Sequence, residues 1–155
     1  MRRFLLPWFA VLALGLCGAA PAQQDSPALD RGRRLFHGEL PLPGQITGHG
    51  TPLPAQASRC VNCHALESAA AAASASAPSF APLLGPRQLT SPAPRRGGPP
   101  SRYDEAGFCR LLRSGVDPAY IVIERAMPRY EMPAADCRAL WIYLTSPVAE
   151  NGRAK

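Results

Sequence analysis

One short stretch, Cys60-Val61-Asn62-Cys63-His64, decides how the rest of the chain is interpreted. Two thiols at this spacing reach the two vinyl groups of one porphyrin and form thioethers with them. The histidine that follows directly then lies under the iron, where its imidazole becomes a ligand. This C-x-x-C-H spacing is the attachment motif of a c-type haem. It predicts that Cys60 and Cys63 hold one covalent haem c and that His64 ligates its iron.

Three other interpretations of the motif explain less of it. A zinc site needs a second Cys or His pair at ligand spacing, and the sequence has none so placed. A thioredoxin-like redox pair needs a strand before it and a helix after it, which the flanking sequence does not predict. A simple disulfide between Cys60 and Cys63 leaves His64 without a role. Covalent haem is therefore the cofactor that the motif favours.

A haem iron ligated by His64 needs a second axial ligand, and methionine is the usual partner of histidine in electron-transfer haems. Met127 and Met132 both precede a proline, which stiffens the loop that presents the sulfur and keeps it out of a helix. Met132 comes directly before a predicted helix, where packing on the core is the alternative role. His37 and His49 are the alternative distal ligands.

The first 22 residues have the three parts of a secretory signal peptide. Arg2 and Arg3 are followed by an apolar run at residues 4–16 and by a small-residue stretch that ends at Ala22. The apolar run is too short to cross about 30 Å of hydrocarbon comfortably. We therefore expect cleavage after Ala22, no stable membrane anchor in the mature chain, and a location in the periplasm, where disulfides persist.

Composition predicts one loop-rich domain over residues 23–155. The chain is 46% hydrophobic, which excludes disorder throughout, and its 18 prolines and 13 glycines indicate long connections. We place flexible loops near residues 39–58, 68–78 and 91–101. The formal net charge of +6 is modest, and no Lys/Arg run resembles a nucleic-acid arm, so no nucleic-acid partner is expected.

Helical periodicity and end signals predict three main helices, at residues 28–38, 104–114 and 133–145. Residues 121–123 are Ile-Val-Ile and are typical of a strand, but no second strand is evident to pair with them. The predicted fold class is therefore all-α.

Several further segments resemble those of the class I monohaem c-type cytochromes. Residues 32–36 are similar to the G-x-x-L-F segment of that family's first helix, and residues 81–85 resemble its A-P-x-L-x-G loop. Residues 115–117 and 127–130 follow the order of the family, and residues 143–144 match the Y-L near the end of its last helix. The segments between them are longer than in the smallest members of the family.

The resemblance implies a class I cytochrome c-like helical fold wrapped around one haem, with long loop insertions. It implies that the carbonyl of Pro82 accepts a hydrogen bond from the second ring nitrogen of His64. The spacing to Tyr143 matches the family for Met127 and not for Met132. We expect the first and last helices to cross at Gly32, where glycine allows a close approach.

Two features of the sequence stay open. Cys109 and Cys137 lie on two predicted helices and are either a disulfide or two buried small apolar residues. The middle of the chain is basic, which is either a solvated surface or a docking site for an acidic redox partner. The residues that make it basic are Arg59, Arg87, Arg95, Arg96 and Arg102.

The resemblance and the motif together predict an electron carrier rather than an enzyme. The expected activity is outer-sphere transfer between a donor and an acceptor redox protein through an exposed haem edge. One alternative is the haem subunit of a larger dehydrogenase or oxidase complex. Another is a haem enzyme or gas sensor with a displaceable distal ligand.

Overall fold

The computed structural model describes residues 27–68 and 81–147. The helices in these residues are α1 (Pro27–His37), α2 (Pro86–Thr90), α3 (Glu105–Ser114) and α4 (Ala134–Thr145), with a 3-10 turn at Cys60–Asn62. The strands are β1 (Gly44–Gln45), β2 (Ala93–Pro94), β3 (Pro100–Ser101) and β4 (Arg129–Tyr130). The predicted signal peptide at residues 1–22 and most of the predicted loop near 68–78 lie outside the described residues.

The prediction of an all-α, class I cytochrome c-like helical fold is wrong. Strand β1 pairs with β4 and β2 pairs with β3, and both pairs are antiparallel. The described part of the chain is therefore a small mixed structure of helices and short strands. Strands of two residues are too short to carry an alternating pattern, and these lie in stretches whose prolines and glycines indicate loop.

The three predicted main helices are present, each within one residue of its expected bounds. At the start of α3, Asp104 Oδ1 accepts a hydrogen bond from the backbone N–H of Gly107 at 2.6 Å, which makes Asp104 the N-cap. Gly38 and Gly115 follow α1 and α3 with φ of 75° and 73°, a left-handed conformation that glycine adopts without strain. The end signals in the sequence therefore set the helix bounds.

Helices α1 and α4 cross at Gly32, as predicted. A Cβ added there would overlap the carbonyl oxygen of Ala139 and lie 2.7 Å from Cβ of Tyr143. Only glycine lets the two backbones approach this closely. The core beside the crossing is built from buried apolar side chains, among them Leu35, Phe36, Phe108, Leu112, Leu140 and Leu144.

Cys109 on α3 and Cys137 on α4 form a disulfide, with their Cα atoms 5.8 Å apart. Both residues are also buried in the core, so the two roles that the sequence left open are combined. The bridge fixes α3 to the helix that crosses α1. In the two described ranges, no helix is both long and apolar enough to cross a bilayer.

Candidate haem site

A cavity of about 770 Å³ opens beside the 3-10 turn. Its volume is within the range of roughly 300–1,000 Å³ that small-molecule and cofactor pockets have. Apolar side chains from α2, α3, α4 and the intervening loops make up much of its wall, among them Leu84, Leu89, Phe108, Leu112, Ile123 and Leu140. The helices and short strands therefore surround an apolar space large enough for a cofactor.

The C-x-x-C-H motif folds into a tight turn at the wall of this cavity. The backbone N–H groups of Cys63 and His64 both donate to the carbonyl of Cys60, at 3.2 and 2.9 Å. The turn brings the two cysteines and the histidine to the same cavity. Burial raises the pKa of the Cys60 thiol to about 12, so this thiol is protonated at neutral pH in the haem-free chain.

His64 is oriented by one hydrogen bond. Its Nδ1 lies 2.8 Å from the carbonyl oxygen of Pro82, the partner that the family resemblance implies. A carbonyl only accepts, so Nδ1 carries the hydrogen and Nε2 keeps its lone pair. Burial lowers the pKa of His64, against the opposing effect of the Pro82 bond, which favours the neutral ring that ligates metals.

The loop that carries Pro82 is paired with the chain that leaves the motif. The N–H of Leu84 donates to the carbonyl of Ala65, and the N–H of Glu67 donates to the carbonyl of Leu84, both at 2.9 Å. The Glu67 carboxylate then accepts from the N–H of Gln88 at 2.8 Å, in the first turn of α2. These bonds fix the position of the Pro82 loop relative to His64. The role of Glu67 was missed from the sequence, where it is a single acidic residue in a basic region.

Of the two candidate methionines, Met127 lines the cavity. Its loop is closed by a bond from the Met127 N–H to the carbonyl of Glu124 at 3.2 Å, and Arg129 Nη1 donates to the Met127 carbonyl at 2.6 Å. Both methionines pack against the apolar core, but Met132 is not part of the cavity wall. Met132 therefore has the core-packing role that the sequence offered for it, without access to the cavity.

The two alternative histidines lie away from the cavity. His37 is half-buried at the end of α1, with Nε2 3.4 Å from the hydroxyl of Tyr143, and His49 is exposed in the loop after β1. Neither contributes to the cavity wall. Among the described side chains, His64 and Met127 are therefore the imidazole and the thioether that reach this space.

Charged side chains interrupt the apolar wall. Arg59, Arg95 and Arg96 all line the cavity, and the Nε atom of Arg59 is buried without a hydrogen-bond partner in the described structure. The Arg95 guanidinium packs over the Tyr103 ring, 4.7 Å from its centroid. Three of the five arginines of the basic middle thus face the cavity, where positive charge suits a ligand with carboxylates.

Asp117 is the buried acid of the same wall, with 1% of its surface exposed. Its Oδ1 accepts from the N–H groups of Ala119 and Ile121 at 2.9 and 2.8 Å, whereas its Oδ2 has no partner among the described residues. The two bonds hold the turn over residues 117–121, and the Ile-Val-Ile stretch forms only an isolated bridge between Val116 and Val122.

Comparisons with protein-family models, curated proteins and solved structures found no match to this chain. Within residues 27–68 and 81–147, no group of three or more His, Cys, Asp or Glu side chains is arranged to hold a bare metal ion.

The residues at the cavity fit a covalent haem. Cys60 and Cys63 are presented on one turn, the orientation of His64 leaves Nε2 available to iron, and Met127 lines the same space. The apolar wall suits a porphyrin. The unpartnered Arg59 Nε suits a carboxylate.

Proposed function

We propose that this chain is a c-type cytochrome that carries single electrons between redox proteins. Cys60 and Cys63 would hold one haem through thioethers, and His64 and Met127 would be the protein ligands of its iron. The observation that carries the proposal is that all four side chains line one apolar cavity of about 770 Å³. When bound, the haem iron supplies one-electron redox chemistry.

The protein's contribution is to hold and tune the cofactor. The bond from His64 Nδ1 to the Pro82 carbonyl fixes the ring and raises its basicity as a ligand. The apolar wall excludes water and lowers the local dielectric, which affects the reduction potential. Met127 would supply the second protein ligand to the iron, which would keep small molecules from the metal and disfavour reaction there.

The haem carboxylates need partners, and the arginines of the wall are suited to them. Arg59, Arg95 and Arg96 place positive charge at the cavity, and an arginine binds a carboxylate through parallel N–H bonds. These three side chains are therefore proposed to neutralise the two propionates. Arg87 and Arg102 are exposed and remain candidates for attracting an acidic redox partner.

Electron exchange needs a short route from the cofactor to the surface. Val61, inside the motif, is 40% exposed, and Cys63 is exposed as well. We propose that the haem edge beside the thioethers is the point of exchange with a donor and an acceptor protein in the periplasm. This arrangement needs no substrate site and agrees with a carrier rather than an enzyme.

The test is a pair of methionine variants of the haem-loaded protein. A bond between ferric iron and the Met127 sulfur gives a weak far-red absorption band. Met127→Ala should abolish the band and open the iron to cyanide, because the ligand is lost. Met132→Ala is the matched control and should keep the band, since Met132 does not line the cavity.

The contradicting outcomes point to specific errors. Loss of the band in Met132→Ala alone would show that the wrong methionine was chosen. An unmodified protein that excludes cyanide but shows no far-red band would favour His37 or His49 as the ligand. Tight binding of carbon monoxide by the unmodified protein at neutral pH would favour a haem enzyme or gas sensor.

A further inference from the structure

The long segment before the haem motif is fastened to the loop that carries Met127. We call residues 42–58 the strap and residues 124–130 the methionine loop. Strand β1 of the strap pairs with β4 of the methionine loop, with Gly44 opposite Tyr130 and Gln45 opposite Arg129. This pair of strands therefore joins the segment that precedes Cys60 to the loop that carries Met127.

A chain of buried hydrogen bonds reinforces this pairing. Tyr130 is 4% exposed, and its hydroxyl donates to the carbonyl of Ser58 at 2.9 Å. Ser58 is 1% exposed, and its own hydroxyl donates to the carbonyl of Leu42 at 2.8 Å. The Tyr130 hydroxyl thus reaches the end of the strap, two residues before Cys60, and Ser58 ties that end to the start of the strap.

The strap and the methionine loop pack closely at Gly44. A Cβ there would lie 3.0 Å from Cβ of Ser58, 3.2 Å from Cβ of Pro128 and 3.2 Å from Cε1 of Tyr130. The carbonyl of Gly44 also accepts from the N–H of Leu53 at 2.7 Å, which folds the strap back on itself. Pro128 directly follows Met127, so the contact lies one residue from the proposed ligand.

Two more bonds hold the outer part of the strap. Arg125 Nη2, in the methionine loop, donates to the carbonyl of Thr47 at 3.1 Å. Asn62 Nδ2, inside the haem motif, donates to the carbonyl of Gln56 at 2.7 Å. The strap is therefore bonded both to the turn that holds the haem and to the loop that supplies the distal ligand.

We infer that Tyr130 is a positioning residue that holds Met127 on the iron through the strap. The inference rests on the proposed function. An added ligand reaches the iron only when the methionine loop moves away, so its apparent affinity depends on the population of that open state. The Tyr130 hydroxyl stabilises the closed state, because its loss leaves the buried Ser58 carbonyl without this donor. The strap thereby sets how well small ligands are excluded.

The experiment titrates ferric haem-loaded protein with cyanide and follows loss of the far-red band. Tyr130→Phe keeps the ring and removes the hydroxyl. We expect its apparent cyanide affinity to rise roughly five- to tenfold, the factor that loss of one buried hydrogen bond gives. Tyr143→Phe is the matched control, since Tyr143 is equally buried and its hydroxyl faces His37 instead of the strap. Its cyanide affinity should stay unchanged.

A second variant keeps the test decisive if Tyr130→Phe folds poorly, and it separates the strap from the cavity wall, to which Tyr130 itself belongs. Ser58→Ala removes the bond to Leu42 and should raise cyanide affinity in the same direction. An unchanged affinity in Tyr130→Phe or in Ser58→Ala, or an equal rise in Tyr143→Phe, would overturn the positioning role. Failure of the proposed function looks different, because the unmodified protein would then show no far-red band to lose.

Discussion

The disulfide between Cys109 and Cys137 offers a prediction whose size follows from the structure. The bridge closes a loop of 28 residues. In the chain-entropy treatment, opening a loop of that length costs about 3.6 kcal/mol of folding free energy. A small domain has a total stability of roughly 5–15 kcal/mol, so this is a large share. The double variant Cys109→Ala, Cys137→Ala should therefore unfold at much lower urea concentration.

The assay is urea unfolding of the haem-loaded protein followed by far-ultraviolet circular dichroism. The unmodified protein in strong reductant is the matched control, because it loses the bridge without losing the sulfur atoms. Both samples should be less stable by about 3.6 kcal/mol. Because α3 also carries Phe108 and Leu112 to the cavity, the haem absorption should broaden as well. A loss below about 1 kcal/mol in both samples would show instead that packing alone holds α3 on α4.

Three further predictions address packing, pH and partners. Gly32→Ala should lower the free energy of unfolding by about 3 kcal/mol, because the new methyl group would overlap the backbone of α4 at Ala139. Gly50→Ala is the control and should change it little, because in the described residues no atom beyond its chain neighbours lies within 4 Å of the added methyl group. Burial lowers the pKa of His37, so the free energy of unfolding should fall as pH drops below about 6.5 and level off below the folded-state pKa. His37→Gln should flatten this pH dependence, and an unchanged pH dependence in the variant would contradict the role of His37. If Arg87 and Arg102 attract an acidic partner, electron exchange should slow as salt rises, and replacing both by serine should remove the dependence; a rate that is flat in salt would exclude electrostatic docking.

Local signals in the sequence were sufficient for the three main helices, whereas the short helix α2 was not predicted. Asp104 and Gly115 bracket α3, and Gly38 ends α1, because each supplies a conformation or a bond that a helix end requires. The crossing at Gly32 followed from the family resemblance and from the small size of glycine. The hydrogen bond between His64 and Pro82 was predicted from the family resemblance alone, since no local sequence signal relates the two residues.

The short strands could not be predicted from local signals in the sequence. Gly44 and Tyr130 are far apart in sequence, and a two-residue strand has no periodicity to detect. The strap therefore looked like a plain loop, and the buried bond from Tyr130 to Ser58 had no sequence signal. Arg95 was predicted to lie on a basic surface, because its charge alone does not show whether the side chain faces solvent or lines a cavity.

The most direct test of covalent haem attachment is the intact mass of the mature protein under denaturing conditions. It requires the chain to be exported in a host that attaches haem c. We expect a mass increased by one haem, retained through denaturation, and lost in the double variant Cys60→Ala, Cys63→Ala. A mass equal to that of the bare polypeptide, with both Cys60 and Cys63 open to alkylation, would contradict it.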